Sequence, residues 1–283
     1  MAIVGLYLII GVGVLVAGVF TIDPSFDLQV AHYFTRQDVK DALAQGHSFL
    51  EALRLLNFQF TIVLLSLAAG AVVYKIARPR TKMILPARVS LFLLLVFALG
   101  PGLLVNGLLK TLWARPRPRM LSEFGGTHNF MAWWDPTGTC IKNCSFVSGE
   151  ASAAFAVLAL AVLVPSPLRY VAVGAALLYG ACVSFIRVAV GAHFLSDVLF
   201  AGVLTALLVW LLHGVFWRWK TAMPDPAAEQ MVGNTVRTLT KASAAAMQNV
   251  IGLWRNLAVR KIWKTPRPLA IAQTVGTRSS TLQ

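Results

Sequence analysis

A set of residues spaced along a very apolar chain has the chemistry to handle a phosphate ester. Lys110 is followed seven residues later by Arg117 and Pro118; then come Ser148, Gly149 and Glu150; then Arg187, with His193 six residues on and Asp197 four beyond that. Lysine supplies a point charge and arginine a planar fork that grips two oxygens at once. Ser148 has a good N-cap side chain, and the free N–H groups of a helix start attract anions. Gly149 lets the backbone come close. A carboxylate on one imidazole nitrogen fixes the tautomer and leaves the other free to attack, and a spacing of four puts His193 and Asp197 on one face if they share a helix. Each stretch also has an ordinary reading: Lys110 to Pro118 as snorkelling charge, Ser148 to Glu150 as a helix start with its acid in the first turn, His193 and Asp197 as a structural pair. Arg-Pro recurs at 78–79 and 267–268. The combination is far more specific than its parts, because ionisable groups near a bilayer are costly and usually functional.

Those residues need helices to position them, and composition says which kind. The chain has 283 residues, 57% hydrophobic and only 13% charged, with a mean hydropathy of +0.70. A soluble domain carries about a quarter charged residues. One polytopic, all-α membrane domain is expected. A span needs about 20 mostly apolar residues, and six segments qualify: about 2–20, 57–75, 89–109, 149–164, 170–186 and 194–216. Glycine and proline within them, as at Gly100-Pro101-Gly102, are tolerated where neighbours satisfy freed backbone groups. The fold expected is a bundle of six transmembrane helices with interfacial helices beside it, in a domain covering 1–217.

Net charge is +14, from 25 Lys+Arg against 11 Asp+Glu. The basic residues flank apolar spans instead of coating a polar domain, which argues for anionic headgroups and against nucleic acid. Lys75, Arg78, Arg80, Lys82 and Arg88 crowd one loop, while 21–56 is richer in acids. The excess of cytoplasmic Lys and Arg in membrane proteins then puts both termini in the cytoplasm and 21–56 outside. Loop 110–147 breaks the trend: it is expected outside, yet holds Lys110, Arg115, Arg117, Arg119 and Lys142. Positive charge on that side points to a local anion. Phe49, Leu53 and Leu56 have amphipathic spacing, so 21–56 is expected to lie on the outer membrane surface. Trp133 and Trp134 read as interfacial anchors.

Residues 2–20 lack a basic n-region and a clear cleavage site, and read as a retained span. The segment 218–283 reads as a basic cytoplasmic tail. Val250, Ile251, Trp254, Leu257 and Ala258 fall on one helical face flanked by Arg255, Arg260, Lys261 and Lys264, which suits an interfacial helix; beyond 264 disorder is expected. Cys140 and Cys144 share one loop and can close a small disulfide in an oxidising compartment or stay free thiols, while Cys182 lies in an apolar span. No Cys/His pair completes a zinc spacing.

The order and spacing of the polar stretches resemble the type 2 phosphatidic acid phosphatase family, whose signature is K-x6-R-P, then P-S-G-H, then S-R-x5-H-x3-D. Lys110, Arg117 and Pro118 match the first motif, and Arg187, His193 and Asp197 the third. The resemblance covers roughly 55–216. It implies that His193 is the nucleophile and forms a phosphohistidine, that Asp197 orients it, that Lys110, Arg117, Ser148, Gly149 and Arg187 bind the phosphoryl group, and that no metal or other cofactor takes part. Two positions depart from the signature: Ile186 precedes Arg187, and the second motif reads Val147-Ser148-Gly149-Glu150. In relatives the histidine at the last of these positions is the expected general acid. Glu150 can replace it if its carboxyl stays protonated; His128, in the same outer loop, is a second candidate.

The expected activity is hydrolysis of a lipid phosphate monoester or pyrophosphate at the outer face of a bacterial inner membrane, within the periplasm. The resemblance leans toward lipid A, at its 1- or 4′-phosphate, with Arg115, Arg119 and His128 as further headgroup contacts. Undecaprenyl pyrophosphate and phosphatidylglycerol phosphate are alternatives. So are a phosphotransferase on the same scaffold and a catalytically dead lipid-binding or transport relative. No polar stripe lines any span, which argues against a channel.

Overall fold

The computed structural model describes residues 2–220 and 222–262. Hydrocarbon offers no water to the backbone, so each apolar stretch closes its hydrogen bonds within itself as a helix. The order is α1 (Ala2–Ile22), α2 (Ser25–Thr35), α3 (Gln37–Gln45), α4 (His47–Ala77) and α5 (Ala87–Phe97), the last continuing through a π-helical stretch Ala98–Leu109 into α6 (Lys110–Trp113). An irregular excursion follows. Then come α7 (Gly149–Phe155), α8 (Leu158–Ala161), α9 (Arg169–Ala189), α10 (Leu195–His213) and α11 (Asp225–Ile262).

Among the described residues five helices are long and apolar enough to cross a membrane: Ile3–Ile22, His47–Ala77, Ala87–Met120, Arg169–Ala189 and Leu195–Arg218. The remaining expected span survives only as a shorter apolar helix, Gly149–Ala161. Its winding tightens midway, where Val157 N–H bonds Ala154 O, Ala159 N–H bonds Ala156 O and Leu160 N–H bonds Val157 O. Three-residue steps rise about 2.0 Å per residue in place of about 1.5 Å, so a short segment reaches further. It runs through the interior: Ala151, Ala154, Ala156, Ala159 and Ala161 are all buried. The Phe155 ring lies against Gly180 of α9 and Gly202 of α10; a Cβ on Gly180 would stand 2.3 Å from that ring.

The π-helical stretch has a local cause. Pro101 sits inside it, and proline lacks the N–H and crowds the carbonyl a turn before it. A wider turn relieves that clash, and the Asn106 side-chain amide donates to the Pro101 carbonyl at 2.6 Å.

Two expectations are corrected. Phe49, Leu53 and Leu56 do not form a separate surface helix; they are the first turns of α4, which begins at His47. Its passage into the bundle is held by buried Asn57, whose side-chain oxygen accepts from Tyr179 Oη at 2.8 Å. Trp133 is not a membrane anchor: its ring packs on Phe200, centroids 4.4 Å apart, and its carbonyl accepts from Trp113 Nε1. Trp134 is exposed.

The two ends of the bundle differ in chemistry. At one end lies the α4–α5 loop, against the first turns of α11: Lys75 Nζ is 2.6 Å from Glu229, and Asp225 accepts from the Arg88 N–H at 2.9 Å. At the other end gather α2, the excursion 114–148, the start of α7, the end of α9 and the start of α10. The chain divides into two compact units, Met1–Gly233 and Asn234–Gln283. In the second, the helix runs to Ile262, with Val250, Ile251 and Trp254 exposed. Lys264 and the stretch expected to be disordered lie outside the described residues.

Candidate active site

His193 and Asp197 do not share a helical face. His193 lies in the turn before α10, after Gly191 at φ +61, and Asp197 lies in the first turn of α10, where its Oδ2 caps the Phe194 N–H at 2.9 Å. Both side chains are buried. His193 Nδ1 is 2.8 Å from the Ser145 carbonyl oxygen and 3.8 Å from Asp197 Oδ2. The second distance is beyond hydrogen-bond reach. A carbonyl can only accept, so the proton is assigned to Nδ1. Among the described residues Nε2 has no hydrogen-bond partner. Burial pushes the imidazole down to about 4; Asp197 opposes that shift, while Arg117 and Lys110 reinforce it. At neutral pH His193 is therefore uncharged, with a lone pair on Nε2.

Asp197 instead anchors a buried network. Its Oδ1 accepts from Arg115 Nη1 at 2.6 Å and its Oδ2 from the Ser145 hydroxyl. Arg115, expected among the headgroup contacts, is fully buried. Its other donors go to Ser196 Oγ at 2.9 Å, Asp27 Oδ2 at 2.9 Å and Met131 O at 2.9 Å, and its guanidinium sits 4.2 Å from the Phe194 ring centroid. A buried cation must be paired, and two carboxylates pair this one. Part of the positive charge that looked misplaced in 110–147 is thus neutralised inside the protein. Asp27 also accepts from the Ser196 N–H at 2.9 Å, tying α2 to the start of α10.

The expected phosphate ligands come together beside His193. Lys110 is at the start of α6, and Arg117 is buried three residues beyond Ala114, which turns the chain with φ +45. Asn143 stands between them: its Oδ1 is 3.3 Å from Lys110 Nζ and 2.6 Å from Arg117 Nη2, and its carbonyl accepts from Arg117 Nε at 2.8 Å. Cys140 and Cys144 are joined in a disulfide, Cα atoms 5.7 Å apart, that closes the loop holding Asn143. Arg187, at the end of α9, is buried, and its Nε has no hydrogen-bond partner. An unsatisfied buried donor is costly.

Ser148 caps α7, its Oγ accepting from the Ala151 N–H at 3.3 Å. Gly149 does permit a close approach, but by a side chain: a Cβ there would stand 2.9 Å from Asn106 Oδ1. Glu150 has both oxygens against Arg54 Nε, at 3.0 and 3.3 Å, and lies 3.5 Å from Arg187 Nη2. Arginine has only donors, so this carboxyl is engaged as an acceptor on both oxygens. His128 is set apart, its Nδ1 2.8 Å from Thr139 Oγ1, on the wall of a cavity of about 520 Å³ within the excursion 114–148. Arg119 is exposed, its N–H bonded to Gly191 O at 3.3 Å. Among the described residues no three His, Cys, Asp or Glu side chains gather to hold a metal ion.

Sequence reasoning missed Asp27, Arg54, Asn143, Ser145 and Ser196. Asp27 carried a signal, as an acid just beyond an apolar span. Ser145 makes its key contact through its backbone, which no side-chain pattern shows.

Comparison with known proteins adds the family. The model of the PAP2 superfamily matches residues 91–221. A lipid A 4′-phosphatase of Francisella tularensis subsp. novicida is 31% identical over 207 residues, 71% of this chain and 90% of that one. Lipid A 4′-phosphatases of Rhizobium etli and Rhizobium leguminosarum are 43% and 42% identical over 111 residues, 39% of this chain and less than half of theirs. A solved transmembrane PAP2-type phosphatidylglycerolphosphate phosphatase from Bacillus subtilis aligns with a TM-score of 0.48 at 20% identity, covering 74% of this chain and 95% of its own. With the three stretches that carry its motifs gathered at one end of the bundle and a relative 31% identical matched over 90% of its length, the chain belongs to the PAP2 superfamily.

Proposed function

We propose that this multi-span membrane protein is a lipid phosphatase that removes the 4′-phosphate monoester of lipid A. The observation that carries the reading is an uncharged, buried His193 with an unengaged Nε2, next to Lys110 and Arg117. Nε2 attacks phosphorus in line. An N–P bond forms, the P–O bond to the lipid breaks, and the lipid oxygen leaves. Lys110, Arg117 and Arg187 meet the charge on the equatorial oxygens, the orphaned Arg187 Nε among their donors, and the Ser148 hydroxyl and Gly149 complete the cradle. Water then attacks the phosphohistidine and releases orthophosphate. Because both Glu150 oxygens accept from arginine, the departing oxygen takes its proton from water, and Glu150 acts as a strut holding Arg187 and Arg54. The choice of the 4′ position follows the lipid A 4′-phosphatases that the chain resembles.

The same reading sets the topology. The ends of Gly149–Ala161 belong to opposite ends of the bundle, so this short helix completes a sixth crossing. Both termini are then cytoplasmic, with the basic 76–88 loop, and the site faces the periplasm of a bacterial inner membrane. The membrane domain covers 1–217, and 218–283 is a cytoplasmic appendage. In the test, purified protein in detergent is given lipid A carrying both phosphates. Orthophosphate release and loss of one phosphate from the non-reducing sugar, read by mass spectrometry, are expected. Loss from the reducing sugar would overturn the 4′ assignment, and no loss from any phosphorylated lipid would overturn the activity.

A further inference from the structure

The short segment Cys140–Ser145 touches both halves of the site. Asn143 bridges the two cations, and Ser145, two residues on, fixes the nucleophile through its carbonyl. The segment is stitched to the chain carrying the cations: the Cys140 N–H bonds Ala114 O at 2.9 Å, and the Ser145 N–H bonds Arg115 O at 2.7 Å. Asn143 has φ +55, a left-handed conformation that asparagine tolerates better than most residues. The disulfide on either side of it restricts the alternatives.

Two cations side by side repel each other, and each side chain has many rotamers. A shared acceptor removes that freedom. A carboxylate would also do so, but would cancel the charge a phosphate needs; a carboxamide orients both cations and leaves their field intact. We infer that Asn143 is the positioning residue that sets the spacing of Lys110 and Arg117, clamped in register with His193 by the Cys140–Cys144 loop. The inference rests on reading those two cations as phosphate ligands.

The experiment compares Asn143→Gly, Asn143→Asp, Arg117→Ala and the Asn143→Gly/Arg117→Ala pair, using phosphate release from lipid A in detergent micelles and inhibition by orthovanadate. Glycine keeps the left-handed backbone and the carbonyl bond to Arg117 Nε, and removes only the bridging oxygen. Asn143→Gly should lower kcat/KM by about 10- to 100-fold, the scale of a small misplacement of positioning groups. Against an Arg117→Ala background it should cost no more than about twofold further, since coupled residues are not additive; a purely structural role would cost the same in both backgrounds. Asn143→Asp, of the same size, should weaken orthovanadate inhibition at least about tenfold by cancelling charge. Wild-type kcat/KM in Asn143→Gly, full additivity, or unchanged inhibition in Asn143→Asp would each overturn the inference. If Arg117→Ala itself turned over and bound orthovanadate normally, the reading of the cations would fall instead.

Discussion

The imidazole of His193 is held by the carbonyl of Ser145, 2.8 Å from Nδ1, and not by Asp197, which stands 3.8 Å away. The tautomer is therefore set by a backbone acceptor that carries no net charge. Asp197 supplies a field at longer range and spends its hydrogen bonds on Arg115, Ser145 and the start of α10.

This arrangement fixes the pH dependence. Nucleophilic attack needs the lone pair on Nε2, which protonation removes. With the imidazole pushed down to about 4 by burial, the neutral form persists as pH falls well below the ordinary imidazole value of about 6.5. Once corrected for the substrate phosphate's own second ionisation near about pH 6, the profile of kcat/KM should stay flat on its acid side to near about pH 5 and lose about tenfold per unit below about 4. An acid limb centred on the ordinary value would show that the imidazole is more solvated than its burial indicates.

Removing the proposed nucleophile should be close to a full loss. His193→Ala is expected to lower phosphate release by at least about 10³-fold, as removal of a nucleophile does in other covalent enzymes, and to abolish acid-labile, vanadate-sensitive labelling of the protein by radiolabelled substrate. Labelling that survived in His193→Ala would place the covalent bond elsewhere.

Arg115 predicts a stability effect, not a binding effect. Its removal strands Asp27 and Asp197, both buried, and breaking a buried pair costs about 3–5 kcal/mol. Arg115→Ala and Arg115→Lys should both unfold at markedly lower temperature or denaturant in detergent, because lysine cannot reproduce the four contacts of the planar fork. Folded, stable Arg115→Ala with only a raised KM would instead make Arg115 a headgroup contact.

Glu150 separates a strut from an acid. Glu150→Gln keeps an acceptor for Arg54 and Arg187 but cannot donate a carboxyl proton. Its turnover should stay within about tenfold of wild type, with Arg54→Ala giving a comparable loss. A drop of about 10²–10⁴-fold confined to Glu150→Gln, the usual contribution of general acid catalysis, would return the acid role to Glu150.

What the residues determined unaided was hydropathy and the kind of chemistry. Apolar length reports burial in lipid directly, so the long spans could be read. Lys110, Arg117, Ser148, Arg187 and His193 could be singled out because cations, a cap and an imidazole at the ends of apolar spans are costly to keep there, although each alone also had an ordinary reading. Pro101 in the third span reads in the sequence only as tolerated, and the π-helical winding around it is not foreseen there. Partner choice was decided only by the tertiary structure. Arg115 looked like a surface charge until Asp27 and Asp197 closed on it, and nothing near Glu150 in the sequence announced Arg54, which reaches it across 96 positions. Local patterns encode propensity and exposure, whereas the neutralisation of a charge depends on which distant group the packing brings within about 3 Å. For that reason the chemical kinds of the polar side chains could be read along the chain, while the choice of partner for each existed only once the helices had packed.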